Sequence, residues 1–135
     1  MTDANWVFDR AIHLMDEQNE STGATQTADT KEYRLRTLSI LNVLRGELFP
    51  YSDTYVSEDG KRAICPVIVD FEQPIGLDDY LCQSVLPYGL AAHLLLGEND
   101  KMASFFNQRY EEEKAIASRT LPAEWESIEP YYGRI

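Results

Sequence analysis

Apolar and polar positions along the chain alternate between helical periods and polar breaks. The most informative stretch runs from Leu86 to Ala117 and holds two helical patterns joined by one short turn. In the first, Val85, Leu86, Leu90, Ala91, Ala92, Leu94, Leu95 and Leu96 leave almost no polar face. A helix of that kind has to be covered all round. In so short a chain neighbouring subunits are one source of cover, an expectation that points toward assembly rather than catalysis. Gly97 closes this helix and Asn99 or Asp100 caps the next. The following helix places Met102, Phe105, Phe106, Tyr110 and Ile116 on one broad face, with Glu111 to Lys114 mostly solvated. Two helices joined by so short a turn lie antiparallel.

Upstream, a first helix begins after Thr2 or Asp3 and runs to about Gln18, with Val7, Ala11, Leu14 and Met15 at helical spacing. Residues 19–30 are small and polar, which predicts an exposed, mobile loop. Asp29 and Glu32 then resemble a capping box opening a second helix. Leu35, Leu38, Leu41, Leu44 and Leu48 form its apolar stripe, Arg34, Arg36 and Arg45 its outer positions, and Pro50 its end. From Tyr51 to Gly76 the pattern changes to extended. Val67 to Val69 has strand propensity, Pro66 makes it an edge or isolated extended segment, and a short hairpin across Asp59-Gly60 is one arrangement open to it. The third helix spans Leu77 to Leu96 with a kink at Pro87. These patterns predict a mainly α, four-helix bundle-like single domain with a small extended or β-hairpin element between helices 2 and 3. The helical domain covers residues 1–118, and residues 119–135 form an aromatic C-terminal tail carrying Trp125, Ile128, Tyr131, Tyr132 and Ile135.

Charge narrows the functional classes. The 135 residues include 12 basic and 23 acidic side chains, for a formal net charge of -11, and both halves are acidic. That opposes general affinity for phosphate backbones. No apolar run approaches the ~20 residues of a membrane span, and MTDANWVFDR does not read as a secretion signal. Cys65 and Cys82 have no metal-ligand spacing; both are expected to be reduced, with Cys82 packed as a small apolar residue.

Catalytic and cofactor patterns are not apparent. His13 and His93 are the only histidines, and neither has a His or Glu partner at zinc-binding spacing apart from the weak pair His13–Glu17. There is no nucleophile elbow, phosphate-cradling loop or dinucleotide fingerprint. Ser57 to Lys61 lacks the alternating ligands of a calcium loop. Asp78 and Asp79 adjoin one another and diverge on a helix, so they form no acid/base dyad. The expectation is a non-enzymatic protein with no catalytic, cofactor-binding, metal or nucleic-acid-binding residues. A minor alternative is a small helical enzyme built around His93, Tyr88 and Asp79.

The stretch PIGLDDYLCQSVLPYGLAAHLLLGENDKMASFFNQRYEEE resembles the helical core of small head–tail connector (adaptor) proteins of tailed phages and prophages. The end, Ile128 to Ile135, is similar to the Tyr-Gly-Gly tails of such proteins, with Arg134 in place of the second glycine. The resemblance implies a virion structural subunit that self-associates into a ring between portal and tail proteins, assembled in the bacterial cytoplasm. DNA would pass through without specific binding, an acidic lining repelling its phosphates. A different class of function, an acidic regulatory or inhibitory module that occupies a basic protein partner, is the alternative.

Overall fold

The computed structural model describes residues 1–55, 60 and 65–120. It is mainly helical: α1 (Ala4–Met15), α2 (Lys31–Leu48), a 3-10 turn (Phe49–Tyr51), α3 (Asp79–Ser84), α4 (Leu86–Leu95) and α5 (Asp100–Arg119). No helix among these residues is long and apolar enough to cross a membrane.

Local chemistry accounts for most boundaries. Asp3 caps α1 by accepting from the Trp6 amide at 2.9 Å. Asp16 ends α1 in the left-handed conformation at φ 58, two residues before the predicted Gln18. The short side chain of Asp tolerates that region better than most. Residues 19–30 are mostly exposed, as expected, but are tied together. Asn19 Oδ1 accepts from Ser21 and Thr22 amides, and the Gly23 amide donates to Asn19 O.

The capping box at Asp29 and Glu32 does not form. Thr30 is the N-cap and makes no side-chain cap bond. Its hydroxyl donates instead to Thr25 O at 2.6 Å and accepts from the Thr27 amide at 2.9 Å. The single helix expected over Leu77–Leu96 is two helices meeting at Val85. Pro87 lies in the first turn of α4, where its missing N–H costs no bond, so it opens a helix rather than kinking one.

Helix α4 is the centre of the molecule. It packs against α1, α2, α3 and α5, and Leu86, Leu90, Ala91 and Leu94 are fully buried. This corrects the inference drawn from its apolar surface: the chain wraps the helix itself. At the crossing with α5 and α2, Gly89 permits the approach. A Cβ there would stand 2.8 Å from the Tyr110 ring and 3.0 Å from Leu44 Cδ1. The antiparallel partner α5 follows a turn in which Gly97 takes φ 86 and Asn99 caps by accepting from the Met102 amide at 3.2 Å.

Helix α2 turns differently from its predicted stripe. Its buried positions are Tyr33, Thr37, Leu41, Leu44, Arg45 and Leu48, while Leu35 is 77% exposed. Two steps of three back from Leu41, to Leu35, rotate a side chain about 120° off the face; two steps of four, to Tyr33, rotate it about 80° the other way. Tyr33 and Thr37 can follow the second course because both are satisfied inside. Tyr33 donates to Glu98 at 2.6 Å, and Thr37 donates to Tyr33 O at 2.7 Å.

No β-hairpin is present among the described residues; the β-pairing there is one isolated bridge between Asp3 and Pro74. Residues 56–59 and 61–64, which flank the predicted turn at Asp59-Gly60, lie outside the described residues, as do tail residues 121–135. The described ends of the two arms are engaged elsewhere. Ser52 and Thr54 bond to Asp78 and Gly76, and residues 66–68 bond to α2.

Candidate functional site

The surface best suited to interaction lies along α4 and α5 near their joining turn. A groove of about 410 Å³ runs there, lined by His93, Leu96, Asp100, Ser104 and Asn107 among others. Leu96 is 67% exposed, Phe105 52% and Met102 37%. The geometry follows from the helix junction. Leu96 caps α4 with φ -61 and ψ 124, so the chain leaves the helix directly after it, and its side chain is exposed while Leu94 and Leu95 are buried. Asp100 accepts from the Gly97 amide at 2.8 Å and braces the turn. Phe105 stacks edge-on against Phe106, whose ring is buried, so one aromatic anchors the other at the surface. Exposed apolar side chains on both sides of α5, Leu96 at the groove and Met102 and Phe105 away from it, suit protein contact better than turnover of a small substrate.

The side of the molecule where α1 ends and α2 begins is acidic. Asp16, Glu17, Glu20 and Asp29 line one concavity there with Gln18 and Asn19. Burial raises the Glu17 carboxyl pKa, and the charges of Glu98, Asp16 and Asp29 raise it further. Tyr33 is held as a neutral phenol by burial and by its bond to Glu98. Close by, Arg36 donates to Leu94 O at 3.2 Å, placing a cation at the C-terminal end of α4.

The residues of the minor enzyme alternative are engaged separately. Asp79 accepts from both the amide and the hydroxyl of Thr2, at 3.2 and 2.8 Å. Tyr88 packs against Phe106 with the Arg109 guanidinium over its ring at 5.3 Å. His93 is exposed in the groove, not enclosed by the apolar helix as its neighbours implied. His13 is also exposed, its Nε2 3.3 Å from Gly23 O. Both cysteines are free, and burial, ahead of the charges of Asp78 and Asp79, pushes the Cys82 thiol up to about 12. Among the described residues no group of three or more His, Cys, Asp or Glu is placed to hold a metal ion.

One arrangement went unread in the sequence. Arg45, expected on the outer face, is 4% exposed and clamps the segment after the predicted hairpin. Its Nε donates to Ile75 O at 2.7 Å and its Nη1 to Pro66 O at 2.6 Å. Asn42, one turn earlier, holds both the amide and the carbonyl of Ile68 at 2.9 Å. The spacing carried a signal: Arg45 stands four residues after Leu41 and three before Leu48, on the inward stripe.

Neither a protein-family model, nor a curated protein, nor a solved structure matches this chain.

Proposed function

We propose that the chain is a non-enzymatic structural subunit of a phage or prophage head–tail connector, assembling with copies of itself into a ring between portal and tail proteins. The observation that carries this reading is exposed apolar surface on the α4–α5 hairpin: Leu96 in the groove, and Met102 and Phe105 on the side of α5 turned away from it. The chain closes its core over α4 yet leaves these side chains outside, on the hairpin of helices whose sequence resembles the connector core. A neighbouring copy is the proposed cover of this exposed apolar surface, through a heterologous contact that closes into a ring. The net charge of -11 suits a conduit that DNA must traverse without adhering.

Co-expression with the portal protein of the same genome tests the reading. Co-purification of the two, and rings seen by electron microscopy that are lost on Phe105→Glu, support it. Absence of the chain from purified particles overturns it. The acidic concavity of Asp16, Glu17, Glu20 and Asp29 favours a second reading, an acidic module that occupies a basic regulatory or inhibited protein. Capture of a nuclease or repressor, with no portal or tail component, selects that alternative.

A further inference from the structure

We propose that Val67 is the docking point for an extended segment of a basic partner protein, which pairs in β fashion with the outward N–H and C=O of Val67. The argument starts from the two clamps of α2. The Asn42 amide donates to Ile68 O and accepts from Ile68 N, both at 2.9 Å. The N–H and C=O of one residue reach a single amide together only when that residue is extended, as in a sheet. Arg45 Nη1 holds Pro66 O from the same helix at 2.6 Å.

Peptide planarity then fixes what Val67 presents. The chain has no cis peptide bond among its described residues. In a trans unit the C=O and the following N–H point in opposite directions. Pro66 O faces α2, so the Val67 N–H faces away; the Ile68 N–H faces α2, so the Val67 C=O faces away as well. Val67 therefore shows a donor and an acceptor side by side on the edge remote from α2, and neither has a partner among the described residues. The adjoining Val69 N–H is already capped, donating to Gln73 Oε1 at 2.7 Å. Side chains repeat the pattern: Ile68 is buried, while Val67 and Val69 are 68% and 77% exposed. An isolated edge of this kind is what strand addition uses, backbone bonds supplying affinity and alternate side chains selectivity.

Charge selects the occupant. Asp70 and Glu72, both exposed, follow the edge directly, and the whole chain carries -11. A segment carrying Lys or Arg finds complementary carboxylates in Asp70 and Glu72 beside the edge. The inference rests on the connector reading only for which neighbouring component supplies the strand.

The test uses the full chain, isotope-labelled, with a synthetic peptide of alternating Val and Thr flanked by lysines, and the same peptide flanked by glutamates. The lysine peptide is expected to shift the Val67 amide resonance and slow its hydrogen exchange, and to bind about tenfold or more tightly than the glutamate peptide. Val67→Pro, which deletes the outward donor, abolishes the response, and Val67→Thr preserves it. The double variant Asp70→Lys, Glu72→Lys inverts the preference between peptides even if Val67→Pro disturbs folding. Three results overturn the proposal: equal response to both peptides, no response to either, or a Val67 amide already protected in the free chain. Protection that rises with protein concentration assigns the edge to a second copy and also overturns it. Absence of the chain from particles would defeat the connector reading and leave these peptide results intact.

Discussion

Helices α4 and α2 complete their inner faces by opposite means. Helix α4 has almost nothing polar to place, and its apolar positions are covered by α1, α2, α3 and α5 while His93 stays exposed. Helix α2 buries a Tyr, a Thr and an Arg while leaving Leu35 and Val43 largely in solvent. The contrast separates apolar content from location. A fully apolar helix states that it must be covered but not by whom, and here its own chain suffices. A mixed helix leaves its rotation open until particular polar groups find partners. In α2 the partner of Tyr33 is the Glu98 carboxylate and that of Thr37 a carbonyl of its own helix, whereas Arg45 and Asn42 reach loop carbonyls, so the helix organises the segment at 65–76 as well as the core.

Substitutions across the two helices sharpen that contrast. Leu90→Ala, in the fully buried face of α4, has the largest expected effect, a destabilisation of about 4 kcal/mol in thermal or denaturant unfolding. A loss near 1 kcal/mol would mean that the core collapses around the site and that α4 is not the rigid centre. Gly89→Ala comes next, at about 2 kcal/mol, because its new methyl meets the Tyr110 ring and Leu44. Arg45→Met tests α2: it leaves the Ile75 and Pro66 carbonyls without their donor, for about 1–3 kcal/mol. Its diagnostic readout is faster exchange of the Ile68 amide, which a purely packing role for Arg45 would not produce. Leu35→Gln, on the exposed side of the same helix, is expected to change stability by less than about 0.5 kcal/mol.

The smallest effect is electrostatic and depends on pH. The raised Glu17 pKa means that the folded chain holds that proton more tightly than the unfolded chain does. The stabilisation from protonated Glu17 is fully present below the unfolded pKa and is lost as pH rises through the higher folded value. Glu17→Gln is therefore expected to raise the unfolding midpoint at pH 7, with the gain disappearing below about pH 4. An equal shift at both pH values would assign the effect to side-chain size rather than charge.

Much of this was legible in linear form. The capping Asp3, the Gly97 turn, the Asn99 cap and the antiparallel pairing of α4 with α5 follow from residue type and spacing. Strand propensity at Val67 to Val69 says nothing about which partner is near: Ile68 bonds the Asn42 side chain, and the flanks of the Asp59-Gly60 turn lie outside the described residues. The candidate surface was half legible: Phe105 and Met102 were placed on the apolar face of their helix, but their exposure depends on how far α4 extends beneath them. The Arg45 position was misread because charge was weighed above its place four residues from Leu41.

By itself the sequence determined the helical character, the central breaks, the acidity and the need to cover the Leu-rich helix, since these depend on local periodicity and composition. Tertiary structure alone decided who covers that helix, which way α2 faces and what becomes of residues 65–69. Those outcomes depend on whether buried donors and acceptors from distant segments meet. A lone Arg guanidinium or Asn amide belongs in a core once carbonyls 21 to 30 residues away reach it, as those of Pro66, Ile68 and Ile75 do here.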